Sequence, residues 1–553
     1  MKKYINNSFA VLTLIGLTLI SVSCKNKTAS EQSVNKTVND TLSITILQTA
    51  DIHGQLDTHP ELFWEDEKIV FKDRGGLANI KTLFDKEREA NPNKTIIVDG
   101  GDLIQGSGYA ALSDGKVMQD VIKNMGFDVI IPGNWEVVYG KNMMMEIMKG
   151  YETDVIVQNM FDDDKDKNPL FPAYSVKEIE GIRLGFIGIN DPDVPVRQNP
   201  IFSKGIGFSG LDDKLKKMVD NIKVKEKIDV LFLVTHIGIF KQVELASNPI
   251  AENADYILGN DTHERVREMI QGKYAKVTEP GAFGSFVGKL TLHFVDGKLV
   301  RDDYDLIDVD PEVYPADESI QALVDEAKAP YKDHLETIIG YTNTPIYRYL
   351  TVENPMDNMI TDAARWKTGA DISISNGFRF GNPIVPKDGK PAPITRANLW
   401  NLMPVNEPVK TGKATGKQIK DWLEKEMHNA FSQDPTERFG GWLVRFSGMN
   451  VKFNSQNERG QRISSIIIKG EEMQDDEYYT ISACVRPGDP IDNLCRMANV
   501  KDVEVKDYTI HEAVEEYLKI HSPVSPKLEG RAFCEYLGEY SFSTVPKTDY
   551  KFQ

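Results

Sequence analysis

Thr49-Ala50-Asp51-Ile52-His53-Gly54-Gln55 decides how the first half of the chain is read. The run before it, Ile44-Thr-Ile-Leu-Gln48, is β-branched and apolar and predicts a strand. Side chains alternate along an extended chain, so Asp51 and His53, at i and i+2, leave its C-terminal end on one side. A carboxylate and an imidazole so placed can share a metal ion. Taken alone, the pair is better read as a capping Asp and a loop His.

Four further apolar runs end in the same way. Thr95–Val98 leads into Asp99-Gly-Gly-Asp102, Phe127–Ile131 into Pro132-Gly-Asn134, Val230–Val234 into Thr235-His236, and Ala254–Leu258 into Gly259-Asn-Asp-Thr-His263. Ligands of open α/β sheets bind beyond the carboxyl ends of the strands. Asp51, His53, Asp102, Asn134, His236, Asp261 and His263 are therefore expected to converge on one rim. Each by itself reads as a turn residue or a satisfied polar group. Five strand ends in succession, each carrying Asp, Asn or His, point to a metal centre. Oxygen and imidazole ligands suit Mn, Zn, Fe or Mg, and the ligand types alone do not choose among them.

These motifs resemble the calcineurin-like metallophosphoesterases and, more closely, the exported 5'-nucleotidase family, whose pattern is D-x-H, G-D, G-N-H-E, a later H and then G-H-x-H. By position, the resemblance implies two metals. Asp51, His53 and His263 would hold one, Asn134, His236 and Asp261 the other, and Asp102 would bridge them. The family's G-N-H-E-F-D reads Gly133-Asn-Trp-Glu-Val-Val138, so the His-Asp pair that assists phosphoryl transfer is replaced by Trp135 and Val138. The first His of G-H-x-H is Asp261, which makes the site more anionic. General acid–base help is worth about 10²–10⁴-fold in rate. Its loss calls for another donor (Glu136 or His59), a less demanding substrate, or a protein that does not catalyse.

At 553 residues the chain is expected to hold two or three domains. Its 65 Lys and Arg against 83 Asp and Glu leave a net charge of −18, which argues against a nucleic-acid polymer as partner. Met1-Lys-Lys3 followed by the apolar run Phe9–Ile20 and Ser21-Val-Ser-Cys24 reads as a signal peptide ending at a lipidated Cys24, although Ser21 stands where Leu is usual. The polar stretch after it reads as a tether to a membrane. The expected layout is a signal peptide at 1–23, the lipidated Cys and tether at 24–42, a metallophosphoesterase domain at 43–312, a connector helix at 313–339 and a substrate domain at 340–553. Cys484 and Cys495 flank a turn-rich loop that a disulfide would staple; buried free thiols are the alternative.

The second half resembles the C-terminal domain of the same family, through Glu353-Asn-Pro355, Gly369–Asn376, Thr411-Gly-Lys413 and Tyr479-Thr-Ile481. In that family this domain closes over the metals and reads the substrate. The two base-stacking aromatics of nucleotidases are replaced by Val405 and Ile491, which cannot stack. Asn376-Gly-Phe378-Arg379-Phe380-Gly381 stands in the anion-reading position, and a guanidinium suits a bidentate grip on a tetrahedral oxyanion. Gly133-Asn-Trp-Glu136, this Phe-Arg-Phe segment and His428–Pro435 with Gly440–Arg445 resemble the SoxB-type thiosulfohydrolases, which cleave a sulfur–sulfur bond.

The expected fold is α/β, a calcineurin-like β-sandwich flanked by helices and followed by an α+β domain. The expected activity is that of an exported dinuclear-metal hydrolase acting on an anionic ester or thiosulfonate, SoxB-like. Trp135, Asn134 and Arg379 are the candidate catalytic residues, and Asn376, Phe378, Phe380, Arg379 and Trp135 would contact substrate. The partner would be a small anion or a thiosulfonate-bearing carrier protein, in a bacterial envelope. A nucleotide phosphoesterase and a non-catalytic binding lipoprotein are the alternatives.

Overall fold

Apolar side chains on both faces of the first strand, β1 (Thr41–Thr49), are buried, Ile44 and Ile46 on one side and Leu47 on the other. That pattern fits the middle of a covered sheet. The structure, a computed structural model, describes residues 41–66, 68–432, 434, 437–438, 442–486 and 488–536. The expected signal peptide, Cys24 and nearly all of the tether lie outside the described residues, as do Gly440, Gly441 and Pro487.

β1 pairs in parallel with β2 (Thr95–Asp99), and β2 with β3 (Val129–Ile130). Asp154–Val155 and the antiparallel strands Phe286–Val295 and Lys298–Asp308 complete a six-stranded sheet. A second six-stranded sheet has β4 (Ile182–Asn190), β5 (Val230–His236) and β6 (Tyr256–Gly259) as parallel neighbours at its centre. The sheets face each other across a core in which Ile44, Ile46, Ile96 and Val98 meet Phe186, Val230 and Phe232. Phe186 and Phe232 stack there at 4.9 Å. Helices cover both outer faces: Leu77–Ala90, Gln119–Met125, Lys141–Gly150 and Glu318–Lys328 on the first sheet, Asp213–Lys225 and Ile239–Leu245 on the second. The first half is thus a calcineurin-like sandwich flanked by helices.

Some elements differ in extent from the sequence reading. The run Phe127–Ile131 forms strand only over Val129–Ile130, the two residues that pair with Val98 and Asp99. The helical stretch after 316 breaks after Lys328, where Pro330 lacks the N–H that would continue it. The second half is α+β: a five-stranded sheet ordered Arg445–Ser447, Ile372–Ser375, Tyr478–Cys484, Pro408–Thr415, Lys501–Thr509, and a separate four-stranded sheet. Its helix Gly416–Phe431 opens on a reciprocal cap between Thr415 and Gln418. Among the described residues no helix is long and apolar enough to cross a membrane.

Candidate metal centre

The seven residues singled out at the strand ends come together. Asp51, His53 and His263 form one group of converging donor atoms, and Asp51, Asp102 and His236 a second. Asp51 therefore belongs to both. Asp102 also lies between the groups, with Oδ2 3.7 Å from His53 Nε2 and 3.2 Å from His236 Nε2. Asp261 Oδ1 is 3.8 Å from His236 Nε2 and accepts a hydrogen bond from the Asn134 amide. Asn134 in turn accepts from Gln198 at 2.7 Å, so its oxygen faces Gln198.

Second contacts fix the two central imidazoles. His53 Nδ1 donates to the Gln105 carbonyl and His236 Nδ1 to the Gly100 carbonyl, both at 2.8 Å. Each ring therefore turns the lone pair of Nε2 toward the cluster, the tautomer a metal ligand needs. Asp51 Oδ1 is buried without a hydrogen-bond partner, yet the Nε2 atoms of His236, His263 and His53 lie 3.8, 3.8 and 4.0 Å from it. Asp51 Oδ1 and His236 Nε2, buried 3.8 Å apart and each without a hydrogen-bond partner, are arranged for a cation, and the donor set around them fits a divalent ion.

The backbone is bent to bring them there. Asp51, His53, Asp102, Asp261 and His263 have φ of 50°, 53°, 60°, 95° and 59°. Left-handed backbone at five non-glycine residues is costly and is typical of functional sites. The surroundings hold it. Glu136, fully buried, accepts from the backbone N–H groups of Asp102, Leu103 and Gly133 at 2.9, 2.6 and 2.6 Å. Gly133 is obligatory, because a Cβ there would stand 2.3 Å from Asp102 Oδ1. The Trp135 N–H donates to that same Asp102 oxygen at 2.7 Å.

Burial governs the charges. It raises Asp51 well above the usual carboxylate value, and it lowers His53 and, more strongly, His263, which His53 and Arg379 also disfavour as a cation. Burial also opposes the charged forms of Asp102 and His236, but their mutual attraction wins: Asp102 falls below the usual range and His236 rises well above it. Burial pushes Glu136 up to about 8.

A cavity of about 450 Å³ opens over this centre, walled by both halves of the chain. His53, Asp102, Asn134, Asp261 and His263 lie on one side of the lining, and Asn376, Phe378, Arg379 and Phe380 come from the second half. Phe380 packs on the His53 ring at 4.7 Å. Phe378 sits between Trp135 at 6.2 Å and Trp442 at 6.3 Å, edge to face in both contacts. Arg379 Nη2 donates to the Thr262 carbonyl at 2.6 Å and to buried Glu264 at 2.8 Å. It thereby ties the second half to the loop carrying Asp261 and His263. Val405 lines the cavity, whereas Ile491 is exposed and does not.

His59 proves structural: its ring bonds the Asp57 carbonyl and the Ser285 hydroxyl, and Ser285 donates to buried Glu61. Cys484 and Cys495 both line the cavity as free thiols, so the staple expected between them is not formed. Arg197 is the residue the sequence did not announce. Its guanidinium forms a bidentate pair with Asp261, at 2.9 and 3.1 Å, and reaches Asp191 at 2.5 Å. The only signal was the rigid Asp191-Pro-Asp-Val-Pro195 segment just before it, at the end of β4.

A calcineurin-like phosphoesterase family model matches residues 44–268, and a 5'-nucleotidase C-terminal domain model matches residues 338–483. The trifunctional nucleotide phosphoesterase protein YfkN of Bacillus subtilis is 23% identical over 541 residues, 88% of this chain; the chain spans 34% of that protein's length. The 5'-nucleotidase of Vibrio cholerae is 22% identical over 551 residues, covering 91% of this chain and 94% of its own. The solved sulfate thiohydrolase SoxB of Thermus thermophilus aligns with a TM-score of 0.80 at 21% identity, over 92% of this chain and 98% of that one, a likeness of fold. With a phosphoesterase sandwich carrying a cluster of metal-type donors, followed by a 5'-nucleotidase C-terminal domain that walls the same cavity, the chain belongs to the two-domain 5'-nucleotidase family of metallophosphoesterases, which are metal-dependent hydrolases.

Proposed function

We propose that the protein is an exported dinuclear-metal hydrolase that cleaves a thiosulfonate or a similar anionic ester with a good leaving group, in the manner of the SoxB-type thiosulfohydrolases. The carrying observation is the cavity lining. Its imidazoles, among the described residues, are His53 and His263, both within the donor cluster, and Trp135 and Val138 stand where a proton-transferring His-Asp pair would be. A thiolate-type leaving group needs little protonation, so such a lining suits it. The SoxB-like fold supports the same reading.

Asp51, His53 and His263 would hold one cation, and His236, Asp261 and, with its side-chain amide turned over, Asn134 the other, with Asp102 between them. When bound, such a pair supplies a water of lowered pKa and positive charge that neutralises an anionic substrate. The remaining tasks belong to the chain. The Gln105 and Gly100 carbonyls keep both imidazole lone pairs aimed inward. Glu136 holds the Asp102 and Gly133 backbone in place. Trp135, Phe378 and Phe380 keep bulk water off one side of the centre, and Arg379 secures the His263 loop. Cys24 would carry the lipid that keeps the protein at the bacterial envelope, and the substrate would be a small anion or a thiosulfonate on a carrier.

A nucleotide phosphoesterase is the second reading. The aromatic wall of Trp135, Phe378 and Trp442 favours it, because any one of these faces can stack on a base. Manganese-loaded protein assayed with a peptide cysteine S-thiosulfonate, AMP, UDP-glucose, aryl phosphate and aryl sulfate separates the two. The thiosulfonate is expected to exceed AMP in kcat/KM by about 100-fold, the scale of a missing general acid. AMP turnover at ordinary enzymatic rates would overturn the first reading.

A further inference from the structure

The metal centre carries an extra negative charge at Asp261. Asp51 and Asp102 belong to the converging donor groups, and Asp261, 3.8 Å from His236 Nε2, adds a third carboxylate, one more than an imidazole at 261 would give. Arg197 answers that charge. It takes both oxygens of Asp261, at 2.9 and 3.1 Å, from the short helix Val194–Arg197 that follows β4. The guanidinium cancels one of the three carboxylates, so the ligand set keeps the charge of Asp51 and Asp102 alone.

The placement of Arg197 is built in from both sides. Asp191, fully buried, accepts from the same guanidinium at 2.5 Å and is itself faced by Lys241 at 3.6 Å. On the other side, Arg486 of the second half donates to the carbonyls of Val196 and Gln198, the residues flanking Arg197. Gln198 then donates to Asn134. The segment 196–198 therefore lies between the second half and the metal rim, with a side chain on Asp261 and another on Asn134.

We propose that Arg197 is a positioning and charge-compensating residue, and that Arg197 and Asp261 work as one unit in place of a neutral ligand at position 261. The inference rests on the dinuclear reading above and adds to it what sets the affinity of the Asp261 side of the centre. Removing the guanidinium leaves a full carboxylate charge facing the cation and tightens its binding. Placing an imidazole at 261 while Arg197 remains sets a cation beside a cation and weakens it. Doing both restores the original charge.

Manganese titration by calorimetry, with elemental analysis of the loaded protein, on wild type, Arg197→Ala, Asp261→His and the double variant tests this without any substrate. Arg197→Ala is expected to bind one of its two Mn ions about tenfold more tightly, Asp261→His to bind it about tenfold more weakly, and the double variant to return near wild type, a coupling typical of groups in direct contact. Thermal melts of the metal-free proteins separate these effects from misfolding, and Arg197→Gln serves as a second charge-removing variant if Arg197→Ala does not fold. Unchanged or weakened binding in folded Arg197→Ala or Arg197→Gln, or a double variant no better than Asp261→His, overturns the proposal. Wild type that takes up no metal would overturn both this inference and the dinuclear reading, whereas wild type that loads two ions with no effect of Arg197 overturns this one alone.

Discussion

Glu136 shows how much of the centre is held by side chains that touch no substrate. It accepts three backbone N–H groups from the two loops that carry Asp102 and Asn134. Each buried donor left without a partner costs about 1–3 kcal/mol, so Glu136→Ala should lose at least about 3 kcal/mol in urea unfolding, with Glu136→Gln intermediate. His511 is a second such residue. Its Nε2 donates to the Met403 carbonyl and its ring packs on Trp400. Burial lowers its pKa from 6.5 to about 4. The unfolded chain therefore binds this proton more readily than the folded one. The contribution is complete above the unfolded value and is lost as pH falls toward the folded one. Between pH 7 and pH 5 wild type should lose about 2 kcal/mol through this group, and His511→Gln should flatten that part of the stability profile. At this scale the seven strand-end residues were legible because strand periodicity announces where a side chain leaves the sheet. Arg197 was not, because its partner Asp261 is distant in sequence and the rigid Asp191–Pro195 segment before it does not say that an arginine after it is buried in an ion pair.

Between elements, the decisive contact is the one from the turn after Tyr478–Cys484 to the segment that follows β4. Arg486 spans it through two backbone carbonyls, and Gly488 sits against Asn199, where a Cβ would stand 2.9 Å from the amide oxygen. Hydrogen bonds from a charged donor are worth about 1.5–3 kcal/mol each, so Arg486→Ala, which removes two, should lower the local opening free energy of residues 196–199 by at least about 1.5 kcal/mol. Hydrogen exchange should then speed up there and stay unchanged in β1; equal acceleration in both would mean a global loss instead. Strands β1, β2 and β5 were readable from their apolar runs alone. The strand around Ile130 was read too long, since its length is set by its neighbours Val98–Asp99 and Asp154–Val155 and not by its own composition. The Cys484–Cys495 pair was misread for a similar reason: spacing around a turn does not fix where two thiols point.

For the whole molecule, the two halves were separable in the sequence because the pattern of alternating strands and helices restarts after the helical stretch near 320. That one cavity is walled by both halves could be expected only from the family resemblance, since no local signal pairs Gln105 with the Pro404 carbonyl or Asn382 with Gln55. Three buried carboxylates and three imidazoles from both sheets converge on this centre, so a divalent ion bound among them should stabilise the fold as a unit. Manganese at 100 times its dissociation constant should add about 2.7 kcal/mol per site, raising the melting temperature, and a chelator should reverse it. The most direct test of the central claim is a crystal structure of manganese-loaded protein with anomalous data. Two peaks about 3.5–4 Å apart, one beside His53 and His263 and the other beside His236, with Asp102 between them, are the predicted result. A single peak, peaks elsewhere, or none in protein shown to be folded would contradict it.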